Sequence, residues 1–576
     1  MSRTGRCGLL PPRAAAGLWA ILACTAGTAV AQPEQAAQIQ ASLPAAQQSL
    51  SKAARSHGAL ETLQQAYAEP GAALLWSHEG RPTGEARALV AELTAAESYG
   101  LRAPDYGAQL LEQSLAAITA ARTAPEPLLV QFDIRLSAAA LHFLSDLHFG
   151  RVSPQAAGFK LQEAREPFDL GLALRGLAAA PDVPGALTGA EPPFFHYKLL
   201  KETLAHYHKL ALQAPLLALQ APLPALPPMK ATLKPGDPYP GAPALRELLE
   251  RLEDLPPGSG GGEADLNYDT HLSAGVAHFQ NRHGLKADGT LGKSTLAALQ
   301  VPLERRIRQI SLTLERWRWL RPFKTPPLIV NIPQFRLFAF RTTEDRVADI
   351  LQMNVIVGRA YANTQTPVFE GAMTYVVLRP YWDIPRSILR NEMLPKIRAN
   401  PEYLRAQRLE IVDGQSDASP VVPPTPESIE ALAAGRLRLR QQPGEDNALG
   451  LAKFMFPNVY NVYLHSTPAH NLFKEPVRAF SHGCIRVADP LALATLVLKN
   501  AEGDWSREQI EAAMNGASTQ RVGLKQSIDV LILYATALAT EDGPVFFFED
   551  IYGYDRKLEQ QLALAPVGRG PKAAYQ

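Results

Sequence analysis

Nine prolines fall between Pro215 and Pro243, and no stretch built that way can run as one helix or one central strand. Each proline removes a backbone donor and disfavours helix in the residue before it. The stretch therefore reads as a linker or strap that divides the 576-residue chain. Length agrees with a division, since about 100–200 residues per domain predicts three or four cores. Hydrophobic residues make up 46% and charged residues 20%, the balance of a soluble globular chain. The net charge of +1 lacks the basic excess that nucleic acid requires, so no nucleic-acid partner is expected.

Residues 1–31 read as a secretory signal. Arg3, Arg6 and Arg13 supply positive charge, Ala14 to Ala26 is apolar but too short to cross a bilayer, and Ala29-Val30-Ala31 is a small-residue cleavage site. The expected location is the periplasm. Ile21-Leu22-Ala23-Cys24 loosely resembles a lipidation box with Leu22 where a small residue is usual, so a lipid anchor at Cys24 is the second reading. No later segment reads as apolar enough for a transmembrane helix. The chain has three cysteines, Cys7, Cys24 and Cys484. Cleavage removes the first two, which leaves one thiol in an oxidising compartment. Such a thiol is either buried and inert or kept for its reactivity.

Residues 32 to about 210 read as helical. Leu129, Phe132, Leu136, Phe143 and Leu147 make one apolar face. His196, His206 and His208 lack any accompanying ligand pattern and read as ordinary helix residues. With the strap, 32–234 is a helical scaffold that states no chemistry. Residues 235–302 form a small unit with a Gly-rich loop at Gly258–Gly262, an apolar helix face at Leu272, Val276 and Phe279, and a turn at Asp288-Gly289. A second helix runs through Leu296 and Leu299. Strands dominate from about 326: Leu328–Ile332 and Arg336–Phe340 read as a hairpin, with Leu351–Val357 and Tyr375–Leu378 after it. Residues 388–441 interrupt with charged and Pro-rich sequence, and an insertion of that size reads as a lid or cap. Asn461–Leu464 resumes a strand, and Asp489 caps a helix over Pro490–Lys499.

The chemistry concentrates in residues 465–487, HSTPAHNLFKEPVRAFSHGCIRV. A cysteine nucleophile needs a base or a field that favours thiolate, donors for the oxyanion of its acyl intermediate, and an acceptor that fixes the base's tautomer. Cys484 can be the nucleophile and His465, at a strand end, the base. His482 is nearer in sequence and stays open as an alternative base. Gly483 lets backbone approach a substrate. The amides of His482, Gly483 and Cys484 sit in a loop shortly before a helix, where N–H groups can converge. His465, His470, His482 and Cys484 could also be weighed as a zinc set, but their spacing matches no usual zinc module. No metal and no cofactor is expected.

The order of these residues, His465, a gap of 15 positions, then Ser481-His482-Gly483-Cys484, resembles the L,D-transpeptidase catalytic domain across about 326–505, including Gly358 and Thr366-Pro367. Phe279, Gln280, His283-Gly284-Leu285, Asp288-Gly289 and Gly292 resemble the small three-helix peptidoglycan-binding domain. WDIPRSI at 382–388 and PGEDNALGLAKFMFPN at 443–458 resemble the large multi-domain transpeptidases. The resemblance implies a multi-domain α+β chain: helical scaffold, three-helix peptidoglycan-binding domain, and a mostly-β catalytic domain with a capping insertion. A C-terminal extension over 506–576 is expected to pack on the scaffold. Cys484 then resembles the acylated nucleophile and His465 the general base, with the Ser466 carbonyl holding its other nitrogen. Ser481, His482 and Gly483 shape the site and its oxyanion hole. Arg486 departs from an asparagine usual two residues after the cysteine, and could pair with a substrate carboxylate. Tyr463 matches a tyrosine of the large subclass. The implied activity is 3→3 cross-linking of tetrapeptide stems in peptidoglycan biosynthesis, a process tied to cell shape. Carbapenem-type inhibitors would acylate Cys484, and other cell-wall enzymes are conceivable partners. An L,D-carboxypeptidase and a non-catalytic wall-binding protein remain the alternatives.

Overall fold

The computed structural model describes residues 33–564 apart from 69–72, 162–166, 218–225, 230, 260–265, 344–349, 362–363 and 542. The signal segment, Cys24, and Gly260 to Gly262 of the Gly-rich loop lie outside the described residues.

The first region is helical, with one two-residue hairpin, β1 (Ser77–His78) and β2 (Arg81–Pro82). Its centre is the helix Glu126–Phe149, whose Leu129, Phe132, Leu136, Phe143 and Leu147 are buried among the other helices. That helix is long and apolar enough to cross a membrane by length and composition. The expectation that no later segment reaches that level is therefore corrected. Its apolar surface is already covered: 83% of the qualifying window is buried inside the fold, as for the core helix of a bundle. His196 sits on the helix Phe195–Leu217 with His206 and His208.

The next unit has three helices, Ala242–Arg251, Thr270–Arg282 and Lys293–Leu299, around Leu245, Leu272, Val276 and Phe279. Its motif residues hold the fold together. Gln280 is buried; its side-chain amide donates to Thr290 O at 2.9 Å and Thr295 Oγ1 at 3.0 Å, and its oxygen accepts the Gly289 N–H at 2.9 Å. The His283 ring stacks on Phe279 at 3.7 Å. Arg282 pairs with Asp254 inside the unit and ties it to the rest of the molecule through the Tyr207 hydroxyl and the Val545 carbonyl.

A helix that the sequence pattern left unassigned, Leu303–Arg318, leads into the β region and is buried along its second half. Its Arg318 pairs with Glu315 at 2.9 Å, and its Arg316 with Asp555 at 2.6 Å. The β region is a nine-stranded sheet: β3 (Leu328–Asn331), β4 (Arg336–Phe340), β5 (Ile350–Gly358), β6 (Phe369–Leu378), β11 (Ala452–Met455), β12 (Leu464–His465), β13 (Ala479–Ser481), β14 (Ile485–Val487) and β15 (Gln520–Leu533). Their order is β13-β5-β14-β12-β11-β6-β15-β3-β4, and β4 also pairs with β5. Eight of the strands thus close on themselves, and β13 remains as a short edge on the end of β5. One face, with Leu337, Val355, Val357, Leu464, Phe454, Ile485 and Val487, is the core. The helix Pro490–Val497, capped by Asp489, contributes Leu493 and Val497 to the same core.

Two boundaries move. β15 lies between β6 and β3, so the sheet is not complete at 505 and needs residues expected to form an extension. Only the residues beyond β15 behave as an extension: β16 (Ala537–Ala539) and β17 (Val545–Phe547) pair with each other, and the helix Tyr554–Leu564 supplies Asp555 to Arg316. The insertion begins earlier than 388, because β7 (Trp382–Asp383) pairs with β10 (Arg438–Gln441). With β8 (Leu409–Val412) and β9 (Val421–Val422) these form a separate four-stranded sheet over its own small core of Ile384, Ile397, Ile411, Leu432 and Leu439. Asn461 is no strand residue; at φ 53° it makes a left-handed turn, and the strand itself is only Leu464–His465.

Candidate active site

Strand register assembles the site. Lys453 on β11 pairs with His465 on β12, and His465 pairs with Arg486 on β14. Directly opposed residues share a face of a sheet, so a lysine, an imidazole and a guanidinium stand in one row across three strands. Lys453 is a residue that the sequence motifs did not single out. It lies inside the 443–458 stretch, but only pairing with His465 identifies it.

The row explains the protonation state. Burial first, then the charge of Arg486, and further the charge of Lys453 push the His465 imidazole down to about 3. The imidazole is neutral at physiological pH. Its Nδ1 lies 2.6 Å from the Ser466 carbonyl. That carbonyl can only accept, so Nδ1 carries the proton and Nε2 is the basic nitrogen. Ser466 is itself buried, with its N–H on Ala452 O at 2.9 Å.

Cys484 is half-buried and is the free thiol of the described residues. Burial raises its pKa, while the Tyr463 N–H, the Tyr463 hydroxyl, Lys453 and Arg486 all pull the other way. Sγ is 3.6 Å from the Asn461 carbonyl, placed there by the left-handed turn. The resting thiol is therefore protonated, in a surrounding arranged for the thiolate: two cations, an N–H and a phenol. Burial and the neighbouring sulfur hold the Tyr463 phenol well above its ordinary range, which keeps it a donor. Its ring lies 4.2 Å from Lys453 Nζ and 5.7 Å from the His465 ring. Arg486 keeps a buried Nε with no partner among the described residues.

The turn between β13 and β14 has its own logic. Gly483 has φ 120°, a conformation closed to other residues. Its N–H donates to Ser481 Oγ at 3.1 Å, and the Ser481 hydroxyl donates to Cys484 O at 2.5 Å. This corrects the reading of Gly483 as an oxyanion donor, since its amide is occupied inside the turn. The helix expected shortly after these amides begins at Pro490, with the short strand β14 between. Behind the turn, Thr366 Oγ1 donates to Gly483 O at 2.8 Å and accepts the Gly358 N–H at 2.9 Å, and the Tyr552 hydroxyl donates to Gly358 O at 2.6 Å. A Cβ on Gly358 would collide with the Thr364 carbonyl, so this close approach requires glycine there.

The His482 imidazole pairs with the insertion. Its Nε2 is 2.7 Å from Glu392 Oε1, on a π turn of the insertion, Leu389–Met393. Trp382, also of the insertion, hydrogen-bonds with Tyr463. The insertion thus touches the site at two points. His465, His470, His482 and Cys484 do not gather into a metal-holding group among the described residues.

Three family profiles match the chain: "Scaffold domain" over residues 61–204, "Putative peptidoglycan binding domain" over 241–299, and "L,D-transpeptidase catalytic domain" over 327–508. A curated Haemophilus influenzae protein named "Putative L,D-transpeptidase" is 32% identical over 254 residues, covering 44% of this chain and 49% of that protein. The chain spans about half the length of this relative. A solved L,D-transpeptidase (residues 123–326) from Xylanimonas cellulosilytica is 15% identical with a TM-score of 0.17, over 53% of this chain and 100% of that one. A superposition that loose adds nothing on the fold.

Proposed function

We propose that this chain, whose residues 327–508 match an L,D-transpeptidase catalytic domain beside scaffold and peptidoglycan-binding matches, is a multi-domain L,D-transpeptidase that cross-links peptidoglycan tetrapeptide stems 3→3 through a thioester on Cys484. The observation that carries the reading is the Lys453–His465–Arg486 row beside the Cys484 thiol.

In the proposed cycle His465 Nε2 takes the Cys484 proton as sulfur attacks the carbonyl between the third residue and the terminal D-Ala. The charge that develops faces Lys453, Arg486 and the Tyr463 hydroxyl. As the tetrahedral intermediate collapses, the C–N bond breaks, the imidazolium returns the proton to the departing amine, and free D-Ala leaves a thioester. The side-chain amine of a second stem attacks that thioester. It loses a proton to His465, and the C–S bond breaks as the new amide forms. Arg486 suits a substrate carboxylate, because its Nε is buried and has no partner among the described residues. The insertion, contacting His482 and Tyr463, would act as a lid that favours amine over water.

Incubating the mature protein with purified tetrapeptide muropeptides, with Cys484→Ala alongside, tests this by mass spectrometry. The expected product is a dimer lacking one D-Ala, absent in the variant. A monomer lacking D-Ala would instead mean an L,D-carboxypeptidase, and no change in either sample would favour a wall-binding role. An exported, periplasmic location completes the proposal.

A further inference from the structure

A second polar site lies on the same outer face of the sheet. Arg336 on β4 pairs with Asn354 on β5. Ile356, two residues on, pairs with Arg486. Alternation places Asn354 and Arg336 on the face that carries His465 and Arg486. Asn354 is four residues from Gly358, about 13 Å at roughly 3.3 Å per residue, and Gly358 pairs with Ser481 of the catalytic turn. Here a cavity of about 430 Å³ opens, with walls that include Arg336, Gln352, Asn354, Arg478 and Phe338 on one side and Asn281 and Leu285 of the three-helix unit on the other.

Its charge is one-sided. Two guanidiniums converge on one neutral oxygen: Asn354 Oδ1 accepts from Arg336 Nη1 at 3.2 Å and from Arg478 Nη2 at 3.4 Å. Their remaining contacts are also neutral, with Gln352 Oε1 at 2.9 Å and the carbonyls of Val355, Glu475 and Phe335. Among the described residues no aspartate, glutamate or lysine lines the cavity and no carboxylate pairs with either arginine. Burial and the charge of Arg336 bring Arg478 down to about 10. Two half-buried guanidiniums that share one neutral oxygen, with no carboxylate on either among the described residues, are a repulsive arrangement that a bidentate carboxylate relieves. Phe338 adds an apolar ring on which a sugar can lie, and Asn281 and Gln352 add amides that suit acetamido groups.

We propose that this groove holds a second peptidoglycan strand, with a stem-peptide carboxylate gripped between Arg336 and Arg478. The proposal rests on peptidoglycan being the substrate. It gives the three-helix unit a role as one wall of a binding groove, through Asn281 and Leu285.

The test uses the full mature chain carrying Cys484→Ala, so that binding is read without turnover. Calorimetry with soluble uncross-linked glycan strands bearing tetrapeptide stems gives the reference affinity. Arg336→Gln with Arg478→Gln should weaken it at least about tenfold, and the parent's affinity should fall with salt. The exposed Gln352→Glu, which sets a carboxylate beside Arg336 without removing packing, should weaken it in the same direction and covers the case of a misfolded double variant. Equal affinities for parent and both variants would overturn the proposal. So would strands stripped of their stems binding as tightly as intact ones, or inorganic phosphate displacing strands as well as free tetrapeptide does. Failure here with intact thioester formation in wild type removes only the groove; loss of thioester chemistry with groove binding intact removes only the cross-linking reading.

Discussion

The three-helix unit and the catalytic row both bury polar motif residues, and they use them in opposite ways. Gln280 satisfies both ends of its amide inside the unit, on Thr290, Thr295 and Gly289. Arg486 keeps a buried Nε without a partner among the described residues, close enough to Cys484 for its charge to act on the sulfur. A satisfied network fixes a fold, whereas capacity left unused beside a half-buried nucleophile is available to a substrate. Substitutions in the first region should therefore move stability, and those in the second should move chemistry.

The largest effect is expected from Cys484→Ala. Cross-linking and thioester formation should vanish in mass spectra, while the thermal midpoint moves by no more than about 2 °C. A variant that unfolds would break the contrast from the catalytic side. Next comes Lys453→Met, which keeps volume but removes one end of the row. With less positive charge nearby, the thiol should ionise later, and the pH profile of Cys484 alkylation should move upward by about one pH unit. An unmoved profile would mean that the row does not set the field at sulfur.

The wild-type profile is a test in itself. Burial raises the Cys484 pKa, and His465 stays neutral at every pH above about 3. Alkylation should therefore keep rising through and beyond the ordinary thiol range. A plateau at neutral pH would reveal a preformed thiolate–imidazolium pair and contradict the neutral resting state. On the structural side, Gln280→Ala leaves the Gly289 N–H and the Thr290 carbonyl without their partner. It should cost about 2 kcal/mol of unfolding free energy in denaturant titrations, with the alkylation rate of Cys484 unchanged. The smallest effect is expected at the contact between turn and insertion. Glu392→Gln weakens the partly exposed His482–Glu392 pair, worth at most about 1 kcal/mol, and should lower the ratio of cross-linked dimer to hydrolysed monomer a few-fold. An unchanged ratio would detach the insertion from control of water.

Much of this was legible without coordinates. The prolines divided the chain, the hairpin at 328–340 declared itself by alternation, and the 465–484 spacing marked a thiol site by its resemblance. The C-terminal boundary was not legible, because nothing local in residues 520–533 says that they pair in the middle of the sheet, between β6 and β3. The buried helix Glu126–Phe149 shows the same limit, since composition alone does not tell a bilayer from a helical bundle.

What the sequence determined by itself is local and chemical: which residues can act as nucleophile and base, where helices are capped, and where the chain must turn. What only the tertiary structure decided is which distant residues stand beside them. Lys453, His465 and Arg486 are separated along the chain, yet strand register puts them in one row. The pairing of β4 with β5 sets Arg336 against Asn354, Arg478 joins them from just before β13, and chain folding brings His482 to Glu392. The physical reason is that pKa values and hydrogen-bond capacity depend on neighbours within a few ångströms, and strand pairing chooses those neighbours across any distance in sequence.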